Sequence, residues 1–230
     1  MIKIGTTEIT GIPGIAKVLS GATMVWPYAL PVGYVKVEYI STSKNAGINT
    51  GIVVAGTDII YATYQLNQAD LSQAGDKYIL SQQAGYTGGG IWAETYGGTN
   101  KWYVRFGSSS SSNQDIQAAH KTGKHQIQLK KQSFSIDGTK LLTPNYSSMP
   151  STPTCFGARI NAAGDAITGG GMYGNLYEGT GIVDSNGDYR WWGIPVKRVA
   201  DGAGGMFDLV SKQVFLSVTG THFGCGAEIR

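Results

Sequence analysis

Five glutamates, three histidines and one dense aromatic segment are the residues of this chain best suited to chemistry. Glycoside cleavage needs two carboxylates about 5–10 Å apart across the scissile bond, commonly supplied by alternate positions of one strand. Glu8, Glu38, Glu94, Glu178 and Glu228 each lack an acidic neighbour two or four positions away. Only Glu94 sits in an aromatic, Gly-rich setting, so hydrolysis would need a second carboxylate brought in from another strand. A Ser-His-Asp site would announce its serine by a G-x-S-x-G elbow, and the chain has none. His120 and His125 flank HKTGKH, and solvated polar residues beside a turn are the simpler account of them. No catalytic residue is expected, and the chain reads as a non-enzyme.

Metal and phosphate chemistry fare no better. Asp184-Ser185-Asn186-Gly187-Asp188 places oxygen ligands at positions 1, 3 and 5 of a would-be calcium loop. The sixth and twelfth positions, which need Gly and Glu, are Tyr189 and Pro195. Asn-Gly between alternating runs is first a hairpin turn. Gly169-Gly170-Gly171 is followed by neither a lysine nor a helix, so it does not read as a phosphate cradle. No metal and no cofactor are expected. The net charge of +3 is too small and dispersed for a nucleic-acid surface.

Carbohydrate is the strongest positive candidate. Sugar rings present C–H faces that stack on Trp and Tyr, while amides and carboxylates take their hydroxyls. The segment GYTGGGIWAETYGGTNKWY puts Trp92, Glu94, Tyr96, Asn100 and Trp102 into nineteen residues. Alternation along a strand sends half of such aromatics into the core, so Trp102 and Tyr103 cannot share a face. A packed core with aromatic rims competes with a sugar site here. Trp191 and Trp192 divide the same way, one buried and the other at a surface or subunit contact.

These residues must be held by strands. Charged residues are 14% of the chain and Gly occupies 34 positions, a composition of short strands and tight turns rather than long solvated helices. Alternating or β-branched runs fall at Tyr34–Ile40, Ile48–Val54, Asp58–Leu66, 91–96 and 101–107. A hairpin is expected over His125–Leu142 with its second turn at Asp137-Gly138. Thr154–Ile160 reads as a strand, and Tyr173–Ile182 pairs with Tyr189–Val199. A last pair turns at Ser211-Lys212. Asn67–Lys77 is the sole candidate helix and 107–114 a solvated loop. About twelve strands at 8–12-residue spacing predict one antiparallel β-sandwich over 30–230.

Residues 1–29 differ. Ile4-Gly5-Thr6-Thr7-Glu8-Ile9 and Leu19-Ser20-Gly21-Ala22-Thr23-Met24-Val25 read as degenerate copies of a short strand, turn, short strand unit. Each alternating run covers about four residues, too few to stand alone. The apolar members Ile4, Ile9, Val18, Leu19, Val25 and Trp26 are therefore expected to pack on the main domain or on a partner. No apolar run approaches a membrane span, and MIKIGTTEITGIPG lacks the apolar core of a secretory signal. The chain is expected to start in a cytoplasm, with Cys155 and Cys225 as reduced, buried thiols.

LPVGYVKVEYISTSKNAGINTGI at 30–52, FSIDGTKL and TCFGARINAAG further on, and GIPVKRVADGAGGMFDLVSKQVFLSVTGTHFGCG at 193–226 come in a familiar order. Together they resemble a laminin-G-like, concanavalin A-like jelly roll found in structural proteins of tailed phages, the gut Bacteroides-type phages among them, and in surface proteins of gut bacteria. The chain departs from that pattern at Arg190-Trp191-Trp192-Gly193, where the family usually carries a basic–acidic–aromatic stretch. Paired segments like those of 1–29 precede such domains in tailed phages, where they look like attachment modules. The resemblance implies a virion protein assembled in the host cytoplasm, a head fibre or capsid decoration subunit. It would bind other virion proteins through 1–29, form a trimer or dimer, and bear a jelly roll that contacts cell-surface or mucin glycans. A carbohydrate-binding module of a bacterial surface or tail-fibre protein is the alternative, and a hydrolase of the same fold comes third.

Overall fold

The computed structural model describes residues 2–4, 7–9, 18–20, 23–26, 29–42, 46–67, 76–83, 90–96, 101–107, 114–117, 123–143, 152–158, 172–217 and 222–229. Every regular element among them is a strand. The chain divides into two compact units, Met1–Val32 and Gly33–Arg230.

The smaller unit holds β1 (Ile2–Ile4), β2 (Thr7–Ile9), β3 (Val18–Ser20) and β4 (Thr23–Trp26). They pair as two antiparallel hairpins, with Ile2 opposite Ile9 and Val18 opposite Trp26. Each hairpin's strands are two residues apart, Gly5-Thr6 and Gly21-Ala22.

The larger unit begins with β5 (Tyr34–Lys36), β6 (Tyr39–Thr42), β7 (Ile48–Asn49) and β8 (Ile59–Leu66). Next come β9 (Asp76–Gln83), β10 (Gly90–Tyr96), β11 (Lys101–Gly107) and β12 (Gln114–Gln117). Then follow β13 (His125–Lys130), β14 (Ser133–Ile136), β15 (Thr139–Leu142), β16 (Cys155–Phe156) and β17 (Gly174–Tyr177). The last are β18 (Thr180–Val183), β19 (Tyr189–Arg198), β20 (Gly204–Asp208), β21 (Val214–Phe215) and β22 (Gly224–Cys225).

Two antiparallel sheets result. One has six strands in the order β12-β11-β10-β9-β16-β7, and the other runs β15-β14-β13-β8-β18-β19-β20-β21 with β5, β6, β17 and β22 attached. One apolar core draws on both: Ile48, Leu80, Val104 and Phe156 from the first, Ile60, Ile127, Leu129 and Trp191 from the second. Phe156 and Trp191 stack across it with ring centroids 5.5 Å apart. Each of these side chains contributes about 1.5–3 kcal/mol by leaving water. The architecture is all-β and consistent with a β-sandwich.

Several strands differ from expectation for identifiable reasons. Tyr34–Ile40 splits into β5 and β6 because the chain changes partner, from β19 to β17 and β22. Tyr173–Ile182 likewise splits into β17 and β18: both pair with β8, but β17 also pairs with β6. β9 is a strand the pattern hides, since Tyr78 to Gln82 are all buried and nothing alternates. Its pairing with β10 skips Ile79, which is the extra residue of a bulge between the Leu80–Ala93 and Tyr78–Glu94 pairs. β12 is a short polar edge strand beside the loop expected at 107–114. The helix expected over Asn67–Lys77 falls mostly on 68–75, outside the described residues; Asp76 and Lys77 open β9.

Two turns match their residues closely. Asp137 and Gly138 both have positive φ, 50° and 77°, the backbone that a two-residue hairpin of the I′ kind requires. Asp208 holds the turn into β21: its carboxylate accepts from the amides of Trp192 (2.8 Å), Val210 (3.1 Å) and Ser211 (2.9 Å).

Candidate functional site

The sugar site expected at 92–102 is split by strand register. Trp92, Glu94 and Tyr96 occupy alternate positions of β10, opposite Arg105, Tyr103 and Lys101 of β11. Trp102 is opposite Thr95 instead, on the same parity as Val104, which is fully buried. Trp102 therefore shares the register parity of Val104, and the residue opposite Glu94 is Tyr103. Asn100 lies outside the described residues.

The large sheet carries an aromatic group of its own. Trp191 is 1% exposed and faces the core, whereas Trp192 faces outward and is partly exposed. The expected division of the two tryptophans is thus what the strand produces. Tyr189 lies 4.6 Å from the Trp192 ring and Tyr61 stands edge-on to it at 6.1 Å. A side chain at Gly181 would meet the Trp192 ring at 2.3 Å, so that ring lies across the neighbouring strand instead of standing off the sheet. Burial and the nearby Tyr61 hold the Tyr189 hydroxyl above the ordinary phenol value, which keeps it neutral. Tyr61 and Tyr189 were not singled out in the sequence, although Tyr61, Thr63 and Gln65 share one parity of β8 and signal a polar face.

Several charged groups of this unit have structural partners. Asp58 is 2% exposed and accepts from the Ala55 amide at 2.8 Å and from Arg190, which also donates to the Val53 carbonyl. The irregular register between Ile182 and Val183 makes Arg190 the extra residue of β19, which frees it to reach Asp58. An open cleft of about 420 Å³ lies beside this pair, between Gly56–Asp58, Lys130–Gln132 and Ser185. Glu178 pairs with Lys36 at 2.7 Å, and Glu228 pairs with Lys197. Asp184 accepts from the Asn186 amide at 2.8 Å and the Asp188 amide at 3.0 Å, which lowers its carboxyl below the usual range. That carboxylate closes a turn, in keeping with the reading of Asp184–Asp188 as a hairpin connection.

His125 departs from expectation. It lies on the inward parity of β13 with Ile127 and Leu129, only 14% of its side chain exposed. Its Nδ1 meets Asp137 Oδ2 at 2.7 Å, and its Nε2 is buried without a partner. The residue therefore packs beside Tyr64 (ring centroids 6.3 Å) rather than sitting in solvent. Burial raises the Tyr64 hydroxyl well above the phenol range. His222 is exposed, and His120 lies outside the described residues.

Of the residues expected to serve attachment, Ile4 is on β1, Ile9 on β2, Val18 and Leu19 on β3, and Val25 and Trp26 on β4. Both cysteines are free, Cys155 buried and Cys225 only partly so, which narrows the expectation of two buried thiols to one. Burial pushes the Cys155 thiol up to about 12. Among the described residues no helix is long and apolar enough to cross a membrane. Compared with known proteins, the chain matches no family model and no curated sequence.

Proposed function

We propose that this chain is a non-enzymatic structural subunit of a phage virion, a head fibre or capsid decoration protein, attached through residues 1–29 and displaying a concanavalin-like jelly roll. The observation that carries the reading is the tandem pair of hairpins, β1–β2 and β3–β4, in a unit separate from the large one. Two-stranded hairpins of three or four residues do not hold themselves together in water, so their repetition suits a surface that completes them. Resemblance to phage jelly rolls at 30–52 and 193–226 supports the same reading, and symmetric assembly as a trimer or dimer follows for an appendage on a symmetry axis. The test is to delete residues 2–29 and purify particles: a truncated protein that still incorporates would overturn the attachment role.

The second reading is a carbohydrate-binding module of a bacterial surface or tail-fibre protein. What favours it is the β10–β11 register, which aligns Trp92, Glu94 and Tyr96 with Tyr103 on the parity opposite the buried Val104. Loss of glycan-array signal on Trp92→Ala would support that site; unchanged signal would remove it.

A further inference from the structure

Polar side chains buried inside a protein ordinarily find a partner, either a protein group or ordered water. Among the described residues, five buried side-chain atoms have no protein partner, and three of them fall at one place. They are Gln82 Oε1, Thr152 Oγ1 and Thr154 Oγ1. Gln82 and Thr154 are fully buried, and Thr152 is 4% exposed.

Strand register explains why they meet. Between β9 and β16, Leu80 is opposite Phe156 and Ser81 opposite Cys155. One step further along both strands sets Gln82 opposite Thr154, on the parity of Leu80 and Phe156. Those two belong to the apolar core, so Gln82 and Thr154 lie on the side of the sheet that faces it. Thr152 is fixed beside them, because Gln82 Nε2 donates to its carbonyl oxygen. Thr50, next to Thr154, is different. Its hydroxyl donates to the Thr154 carbonyl at 2.9 Å and accepts from the Ile52 amide at 3.1 Å, so the backbone satisfies it.

The bond from Nε2 also settles how the Gln82 amide is turned. Rotating it end for end would set Oε1 against the Thr152 carbonyl oxygen, acceptor against acceptor. Oε1 is therefore left needing a donor. Each threonine hydroxyl carries one hydrogen and needs an acceptor for it. The three atoms do not bond to one another, so the group that satisfies them must donate and accept at once. None of these side chains is charged, and a cation among them would be buried without compensation.

We infer that the sandwich holds an internal water molecule at this point, bound by Gln82, Thr152 and Thr154. The water donates to Oε1 and accepts from the two hydroxyls, about the three bonds usual for a buried water. It ties β9 to the chain entering β16 just beyond the Ser81–Cys155 pair, where their ladder ends. The inference concerns the interior of the large unit and does not depend on attachment through residues 1–29 or on any surface ligand.

The experiment is a crystal structure of the full chain at a resolution that shows ordered water, together with water-oxygen relaxation dispersion in solution. A density peak is expected about 2.7–3.0 Å from Gln82 Oε1 and from at least one of the two threonine hydroxyls. The inference is overturned by no peak there or by direct bonds among the three side chains. A peak ringed by roughly six oxygens at about 2.3–2.6 Å, as a bound cation gathers them, would overturn it equally. Thr154→Val keeps the side chain's shape and removes one hydroxyl. With the water bound, the variant is expected to show one long-lived water fewer and a lower urea midpoint. An unpartnered hydroxyl would instead be relieved by the methyl group and the midpoint would rise. An unchanged count of long-lived waters contradicts the inference at any midpoint. The wild-type crystal structure decides alone should the variant not fold.

Discussion

Asp208 illustrates how an acidic residue that looks available becomes structural. It is 1% exposed, and its two oxygens accept from the backbone amides of Trp192, Val210 and Ser211. Asp208→Ala would leave those donors without their acceptor and unpin the turn, and a loss of about 3 kcal/mol is expected. That corresponds to a drop in Tm of roughly 6–12 °C for a unit of this size, checked by calorimetry; a change under a degree would contradict the account of the turn. Gly181→Ala makes a second residue-scale prediction. The added methyl would displace the Trp192 ring, so tryptophan emission should shift to longer wavelength while far-ultraviolet dichroism stays β. The two thiols should differ as well. Burial raises the Cys155 thiol to about 12 from the ordinary thiol value of 9.0, so the folded state holds its proton more tightly than the unfolded one. Its contribution to stability is complete below about 9 and is lost as pH rises from there toward 12. A thiol reagent at pH 8 should modify Cys225 in the folded protein and Cys155 only after unfolding.

At the scale of elements, strands that face water on one side were readable and strands buried on both sides were not. Tyr61, Thr63 and Gln65 alternate with Ile60, Ala62 and Tyr64, and β8 is where the alternation predicts. β9 carries Tyr78-Ile79-Leu80-Ser81-Gln82 with every position buried and a bulge at Ile79, so its pattern has no period to detect. Splits such as β5/β6 depend on which neighbour each half pairs with, a long-range fact that no local pattern contains. The candidate site was legible to the same degree. Parity placed Trp191 and Trp192 on opposite sides, yet only register shows that Trp102 falls with Val104 and that Trp192 lies beside Tyr61. The bulge that aims Arg190 at Asp58 leads to an element-scale prediction. Arg190→Met would leave Asp58 buried and unpaired, and a cost of about 3 kcal/mol is expected, measured by urea unfolding with the slope unchanged.

For the whole molecule, the account rests on a division of labour between two units. Met1–Val32 contributes two short hairpins and Gly33–Arg230 a large all-β body. Among its acidic residues, Glu178 and Glu228 are on lysines and Asp58 on an arginine. The measurement that tests this division of labour most directly is quantitative mass spectrometry of purified particles made with the full chain and with residues 2–29 deleted. The account predicts the full chain at a fixed, symmetry-related copy number per particle and the truncated chain, though folded, absent from particles. Equal copy numbers for the two, or no full-length chain in particles at all, would contradict it.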